Sequence, residues 1–156
     1  SGASFDTFDY KVANDLQTLN GVIVEKSHMQ IYGQSKLAQV LFAKELTRRL
    51  GENSSVYVNA AHPGAVNTAI WDGNPLFPDI VRAVINYARE HAMWTSAEGA
   101  LTLLYLGVAT DELVAKNVKG KYFHPQSQEV VNPLALDEDL QKRIWNFSDE
   151  LVKDFV

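Results

Sequence analysis

Residues 29–50 carry apolar side chains at helical spacing on two adjoining stripes, and five residues later the chain turns into a short β-rich run. Leu37, Val40 and Leu41, continued by Lys44 and Arg48, mark one stripe; Ala38, Phe42, Leu46 and Leu50 mark the other. Together they form an apolar face wider than a lone surface helix needs. The spacing predicts a helix packed on two sides, against a sheet and against a further helix. Arg48 and Arg49 fall in its last turn, where cations complement the helix dipole, and Gly51 follows as a C-cap. Residues 56–61 (Val-Tyr-Val-Asn-Ala-Ala) read as a strand that His62-Pro63-Gly64 ends. Their nearly continuous apolarity is that of a strand buried on both faces of a parallel sheet. A helix, a short link and a buried strand make half of a βαβ crossover.

The rest of the chain is read against that unit. Residues 1–20 show no period of 2 or 3.6; Asn20-Gly21 is a turn signal, and Val22-Ile23-Val24 is an edge strand or an extended loop. Residues 65–78 read as loop, punctuated by Asp72-Gly73-Asn74-Pro75 and carrying Trp71, Leu76 and Phe77. A helix is predicted over 80–91. Thr95-Ser96-Ala97-Glu98 has the spacing of a capping box. It opens a helix to about Thr110 that is apolar almost all round and is therefore expected to be buried. Gly120-Lys121-Tyr122-Phe123 reads as a further strand, and residues 137–155 as a final helix with acidic residues in its first turn. Two strands cannot shelter this many apolar helices. A doubly wound sheet needs more strands, which would have to lie upstream of Ser1.

Composition narrows the function classes. With 46% hydrophobic and 21% charged residues the 156-residue chain is an ordinary globular sequence of one-domain size. A net charge of −5 with scattered basic residues gives no nucleic-acid footprint. The absence of cysteine excludes disulfides and thiolate metal sites, and His28, His91 and His124 share no metal-like spacing, so no metal is expected. No run approaches the roughly 18 apolar residues of a membrane span. The chain opens without a secretory signal or an initiator Met, which suggests a cleaved or truncated product.

Chemistry concentrates at the head of the first helix, in Tyr32-Gly33-Gln34-Ser35-Lys36. Residues i and i+4 share a helix face, so the phenol and the ammonium converge. A free phenol, with a pKa of about 10, is a poor base at neutral pH. A neighbouring ammonium favours the phenolate, and a fall of about two or three pH units makes the group useful in acid–base catalysis. A nearby serine hydroxyl could orient a carbonyl oxygen that the tyrosine protonates. Taken alone, the pair is more often a solvated i,i+4 contact.

This stretch resembles the Tyr-x-x-x-Lys motif of the short-chain dehydrogenase/reductase family. His62-Pro63-Gly64-Ala65-Val66-Asn67-Thr68 resembles the family's Pro-Gly-x-Val-x-Thr segment at the expected distance. Thr95-Ser96-Ala97-Glu98-Gly99-Ala100, Gly120-Lys121-Tyr122-Phe123 and Trp145-Asn146-Phe147-Ser148 are similar to the C-terminal part of its retinol-dehydrogenase-like branch. The resemblance covers nearly the whole chain. It implies an α/β fold, the C-terminal part of a doubly wound (Rossmann-type) parallel sheet, with the N-terminal βαβ units absent from this chain.

Residues 1–156 would then be the C-terminal half of one dinucleotide-binding catalytic domain. Within it, 1–28 form an insertion or loop, 29–68 the catalytic helix and following strand, 69–95 a substrate lid, and 96–156 the C-terminal helices and last strand. The resemblance implies Tyr32 as general acid/base. Lys36 would hold the nicotinamide ribose hydroxyls, and Pro63, Gly64, Ala65 and Val66 would pass beside the nicotinamide. Thr68 would bond its carboxamide or phosphates. Ser1 is placed as the catalytic serine, with Ser4 as runner-up. His62 is read as structural or supporting, and Trp71, Leu76 and Phe77 as part of the lid.

The implied cofactor is NADP or NAD, with NADP favoured by the branch. The implied substrate is a small lipophilic carbonyl or alcohol. The implied partners are the N-terminal half and, through the tyrosine helix, a second copy in a homodimer. The implied location is cytoplasmic, or membrane-associated through a segment not among these residues. The family's Gly-rich turn, its NAD/NADP-selecting residue and its catalytic asparagine are not in the sequence. The rival reading is a truncated or processed, non-catalytic fragment that serves only as an interaction or structural piece.

Overall fold

The structure is a computed structural model that describes residues 28–69 and 79–155. The readings made for Ser1, Ser4, Asn20-Gly21, Val22-Ile23-Val24 and the lid residues Trp71, Leu76 and Phe77 lie outside the described residues.

Helix α1, His28–Leu50, is the central element. Leu37 and Leu41 are completely buried, and Val40 and Ala43 nearly so. Leu37, Val40 and Leu41 share one apolar cluster with Tyr122 of the sheet and with Leu140 and Ile144 of the C-terminal helix. The two-sided packing expected from the double stripe is therefore present. The Glu45 side chain is fully buried on this helix and is bonded by Arg48 (Nη2 to Oε1, 2.6 Å) and Arg49 (Nε to Oε1, 2.7 Å). Burial pushes its carboxyl up, but the two guanidinium groups outweigh that and hold it below the usual carboxylate range. The Arg49 guanidinium lies 4.5 Å from the ring centroid of Trp145, which stacks on Phe42 at 4.9 Å. Gly51 closes the helix with φ +78°.

The sheet has three short strands in the order β1, Ala60–Ala61; β2, Tyr122–His124; and β3, Gln128–Glu129. β1 and β2 are parallel, with Ala60 opposite Tyr122; β2 and β3 are antiparallel, with Phe123 opposite Glu129. The ladder extends backwards through the bond from Gly120 N to Val58 O (2.8 Å). Asn59 adds side-chain bonds to Val118 O (2.8 Å) and from Lys121 N (2.9 Å). The fold is thus α/β with a small mixed sheet, and the described residues do not form a doubly wound parallel sheet.

Two expectations are corrected. Residues 56–61 are not a strand buried on both faces: only the last two are strand, and Val56 is 52% exposed. In the described sheet this segment has a neighbour, β2, on one side only, and Val56 lies beyond the last ladder bond. The helix after Thr95 is not buried all round either. It spans Ser96–Val108 (α3) and buries only Gly99 and Thr102, while Leu101, Leu103, Leu104 and Val108 are more than half exposed. Its contacts run along one side, and no described residue covers the other. It stops before the expected Thr110 because Ala109 leaves helical geometry (φ −80°, ψ 49°), and Thr110–Ala115 form a separate short helix, α4.

Other elements follow their local signals. Helix α2 spans Asp79–His91. The capping box before α3 forms as read: Thr95 Oγ1 accepts from Glu98 N (3.2 Å) and Glu98 Oε2 accepts from Thr95 N (2.8 Å). Asp137 caps the final helix α5, Glu138–Val152, by accepting from Leu140 N (2.9 Å). Burial argues that Leu41→Ala lowers unfolding stability by about 2–5 kcal/mol in urea titration. Val108→Ala, on the exposed side of α3, is predicted to stay within about 0.5 kcal/mol of the parent.

Candidate active site

Tyr32 and Lys36 share one wall of a cleft of about 430 Å³ between α1 and the end of β1. The helical repeat that brings them together also brings Gln39, Val40 and Ala43 to this wall. The Lys36 ammonium lies over the Tyr32 ring, 5.5 Å from its centroid. That separation is within cation–π range. The Tyr32 side chain is 46% exposed, so the phenol is reachable from solvent. Ser35 Oγ donates to Tyr32 O (2.7 Å) and so serves the helix backbone.

The opposite wall is β1 with the residues on either side of it: Asn59, Ala60, Ala61, His62, Pro63 and Gly64. Parallel pairing aims it there, since His62 N donates to Phe123 O (2.8 Å) as the last ladder bond. Gly64 has φ +86°, and a Cβ on it would lie 2.6 Å from Trp94 Cδ1 and 2.8 Å from Pro125 Cγ. Only glycine fits without displacing its neighbours. Gly64 N donates to His62 Nδ1 (3.3 Å). The His62 ring meets His124 edge-on at 5.5 Å. Burial above all, with a smaller share from the proximity of His124, pushes the His62 imidazole down to about 4. Burial lowers His124 as well. His62 is therefore a neutral acceptor near pH 7.

The structure thus brings Tyr32, Lys36, Pro63 and Gly64 to one cleft. Ala65, Val66 and Thr68 do not line it. Ala65 O accepts from Trp94 N (2.9 Å), and Val66 forms an isolated parallel bridge with Trp94 and packs on Gly99. Thr68 is exposed. Ser1 lies outside the described residues. Of the lining residues not singled out beforehand, Gln39, Val40 and Ala43 follow from helical spacing. Asn59 and Tyr122 carry no such signal, because their place depends on strand pairing. Among the described residues no group of acidic, histidine or cysteine side chains could hold a metal ion, and no helix is long and apolar enough to cross a membrane.

No protein-family model and no solved structure matches the chain. Curated relatives do. Mouse retinol dehydrogenase 14 is 37% identical over 122 residues, covering 78% of this chain and 35% of the relative. Human retinol dehydrogenase 13 is 37% identical over 139 residues, covering 88% and 41%. The chloroplastic short-chain dehydrogenase TIC 32 A of Brassica napus is 31% identical over 129 residues, covering 81% and 38%. The chain belongs to the short-chain dehydrogenase/reductase family. Within that family its similarity runs to retinol dehydrogenases. The chain spans between a third and just over two fifths of the length of these relatives.

Two tests follow from the Pro63-Gly64 wall. Gly64→Ala is expected to cost more than about 1 kcal/mol in thermal or urea unfolding, since it combines a positive φ with three contacts under 3 Å, to Trp94 and Pro125. The second concerns acid. His62 has a folded value of about 4, against an ordinary value of 6.5. Above about 6.5 it is neutral in both states and adds no slope. As pH falls from there to about 4 the unfolded chain takes up a proton that the folded chain refuses, so stability falls. His62→Gln should flatten that slope in urea midpoints measured across the window; an unchanged slope would assign the acid sensitivity elsewhere.

Proposed function

We propose that this chain is the catalytic C-terminal part of an oxidoreductase that moves a hydride between NAD(P)(H) and a carbonyl or alcohol. The carrying observation is the cleft, which sets a phenol and an ammonium on α1 against a side-chain-free backbone turn at Gly64. Membership of the family supports the same reading. β1 and β2, adjacent and parallel, are proposed as strands of a larger doubly wound sheet whose remaining strands lie outside the described residues.

The cleft's residues fit one end of a nicotinamide cofactor. Its volume of about 430 Å³ falls in the range of small-molecule sites, and its walls mix apolar with polar groups. When bound, that cofactor supplies or accepts the hydride. Tyr32 gives its phenolic proton to the carbonyl oxygen as the carbonyl carbon gains the hydride; in the reverse direction it takes the proton from the alcohol. Lys36 is proposed to hold cofactor hydroxyls. Pro63 and Gly64 form the facing wall, with Ala65, Val66 and Thr68 proposed to reach the cofactor as the family motif implies. Ser1 is proposed to orient the carbonyl oxygen. The substrate is proposed to be a lipophilic carbonyl or alcohol, in keeping with the retinol in the relatives' names, and the cofactor NADP before NAD. The cofactor's pyrophosphate cradle is proposed to come from an N-terminal half, and a homodimer to form through α1.

A second reading, a non-catalytic fragment, draws on the outward leucines of α3. An intact mass of 17.4 kDa without companion or turnover would favour it. In the protein carrying this segment with its glycine-rich half, Tyr32→Phe is expected to lower kcat at least about 100-fold in NADPH-dependent aldehyde reduction. Cofactor affinity should hardly move. Lys36→Ala should weaken both affinity and rate. Unchanged turnover in Tyr32→Phe sinks the assignment.

A further inference from the structure

The Pro63-Gly64 wall leans on a turn of unusual backbone geometry. β2 ends at His124, and Pro125–Ser127 follow as a short 3-10 segment. Inside it Gln126 (φ 61°) and Ser127 (φ 56°) are both left-handed. Two consecutive residues with side chains rarely adopt this region, because the Cβ crowds the following carbonyl. Something must hold them there.

Thr102, on α3, does so. Its side chain is 1% exposed. Oγ1 donates to His124 O (3.2 Å) and accepts from Ser127 N (3.0 Å), so one hydroxyl spans both ends of the turn. Threonine is a poor choice for a helix interior, and a buried hydroxyl is unfavourable unless bonded. The turn accounts for both oddities. It also reaches the cleft. Pro125 sits against Gly64, where no Cβ would fit, and the His124 ring abuts His62, whose Nδ1 accepts from Gly64 N.

We propose that Thr102 is a positioning residue for the cleft: its buried hydroxyl pins the left-handed turn at Gln126 and Ser127, which seats His124 and Pro125 against His62 and Gly64. The catalytic consequence rests on the oxidoreductase reading, in which this wall faces the cofactor.

The test uses the isotopically labelled 156-residue chain and NMR, with no turnover measured, so failure of the oxidoreductase reading leaves it intact. Thr102→Val keeps the shape and removes the hydroxyl; Thr102→Ser keeps the hydroxyl. In the valine variant, hydrogen-exchange protection of the Gly64 amide is expected to fall about tenfold, and the His62 ring nitrogens to shift, while the amides of Leu41 and Ile144 hold. The serine variant should restore both signals. Unmoved Gly64 and His62 signals in the valine variant overturn the proposal. So does failure of serine to restore them, or equal loss at Leu41 and Ile144. Should Thr102→Val not fold, Gln126→Gly and Ser127→Gly added to it are expected to recover the fold and the Gly64 signal, because glycine needs no clasp in this region. Continued loss counts against the proposal.

Discussion

Burial of Leu37 and Leu41 between the sheet and α5 is the constraint on which the candidate site depends. These two leucines anchor α1 against Tyr122 on one side and Leu140 and Ile144 on the other. Lys36 immediately precedes that anchor and Tyr32 lies one turn further out. The two chemical groups therefore ride on a helix whose rotation and height are set by apolar packing. The facing wall has a different origin. It is backbone leaving a parallel strand, and its course is set by the β1–β2 ladder and by the close approach of Trp94 and Pro125 to Gly64.

At its far end α1 is fixed electrostatically. A fully buried carboxylate normally costs more than its attraction to one cation returns. Glu45 has two guanidinium groups, one of which also stacks on Trp145 of α5. The ion triad thus couples helix to helix as well as neutralising a charge. It also explains Arg48-Arg49 better than dipole compensation alone, because both side chains turn back onto their own helix.

Local signals were legible in the sequence. The double stripe of α1, the Thr95 capping box, Gly51 and the acidic start of α5 each rest on neighbours within a few residues. The pairing of Tyr32 with Lys36 follows from the helical repeat. What the sequence concealed depends on distant partners. The apolar run Val56-Tyr57-Val58 cannot announce that the described sheet flanks it on one side only. The leucines of α3 read as core because composition carries no information on which side is covered. β3, polar and two residues long, has no pattern at all. Thr102 looked unremarkable within an apolar helix until the turn it clasps was visible.

The sequence distances inside the site carry a temporal meaning. Ala60 pairs with Tyr122, 62 positions on, and Leu41 shares its apolar cluster with Leu140, 99 positions on. Contacts of that span close slowly, because a long loop must be ordered before any stabilisation is gained. On a ribosome, α1 emerges well before the strand and helix that seat it. Tyr32 and Lys36 can form a helical pair early, yet the wall opposite them waits for β2, and the anchor beneath them waits for α5. The segments that build the facing wall and seat the helix are therefore made after the motif itself. A chain interrupted before Glu138 would display the motif without the packing that seats it.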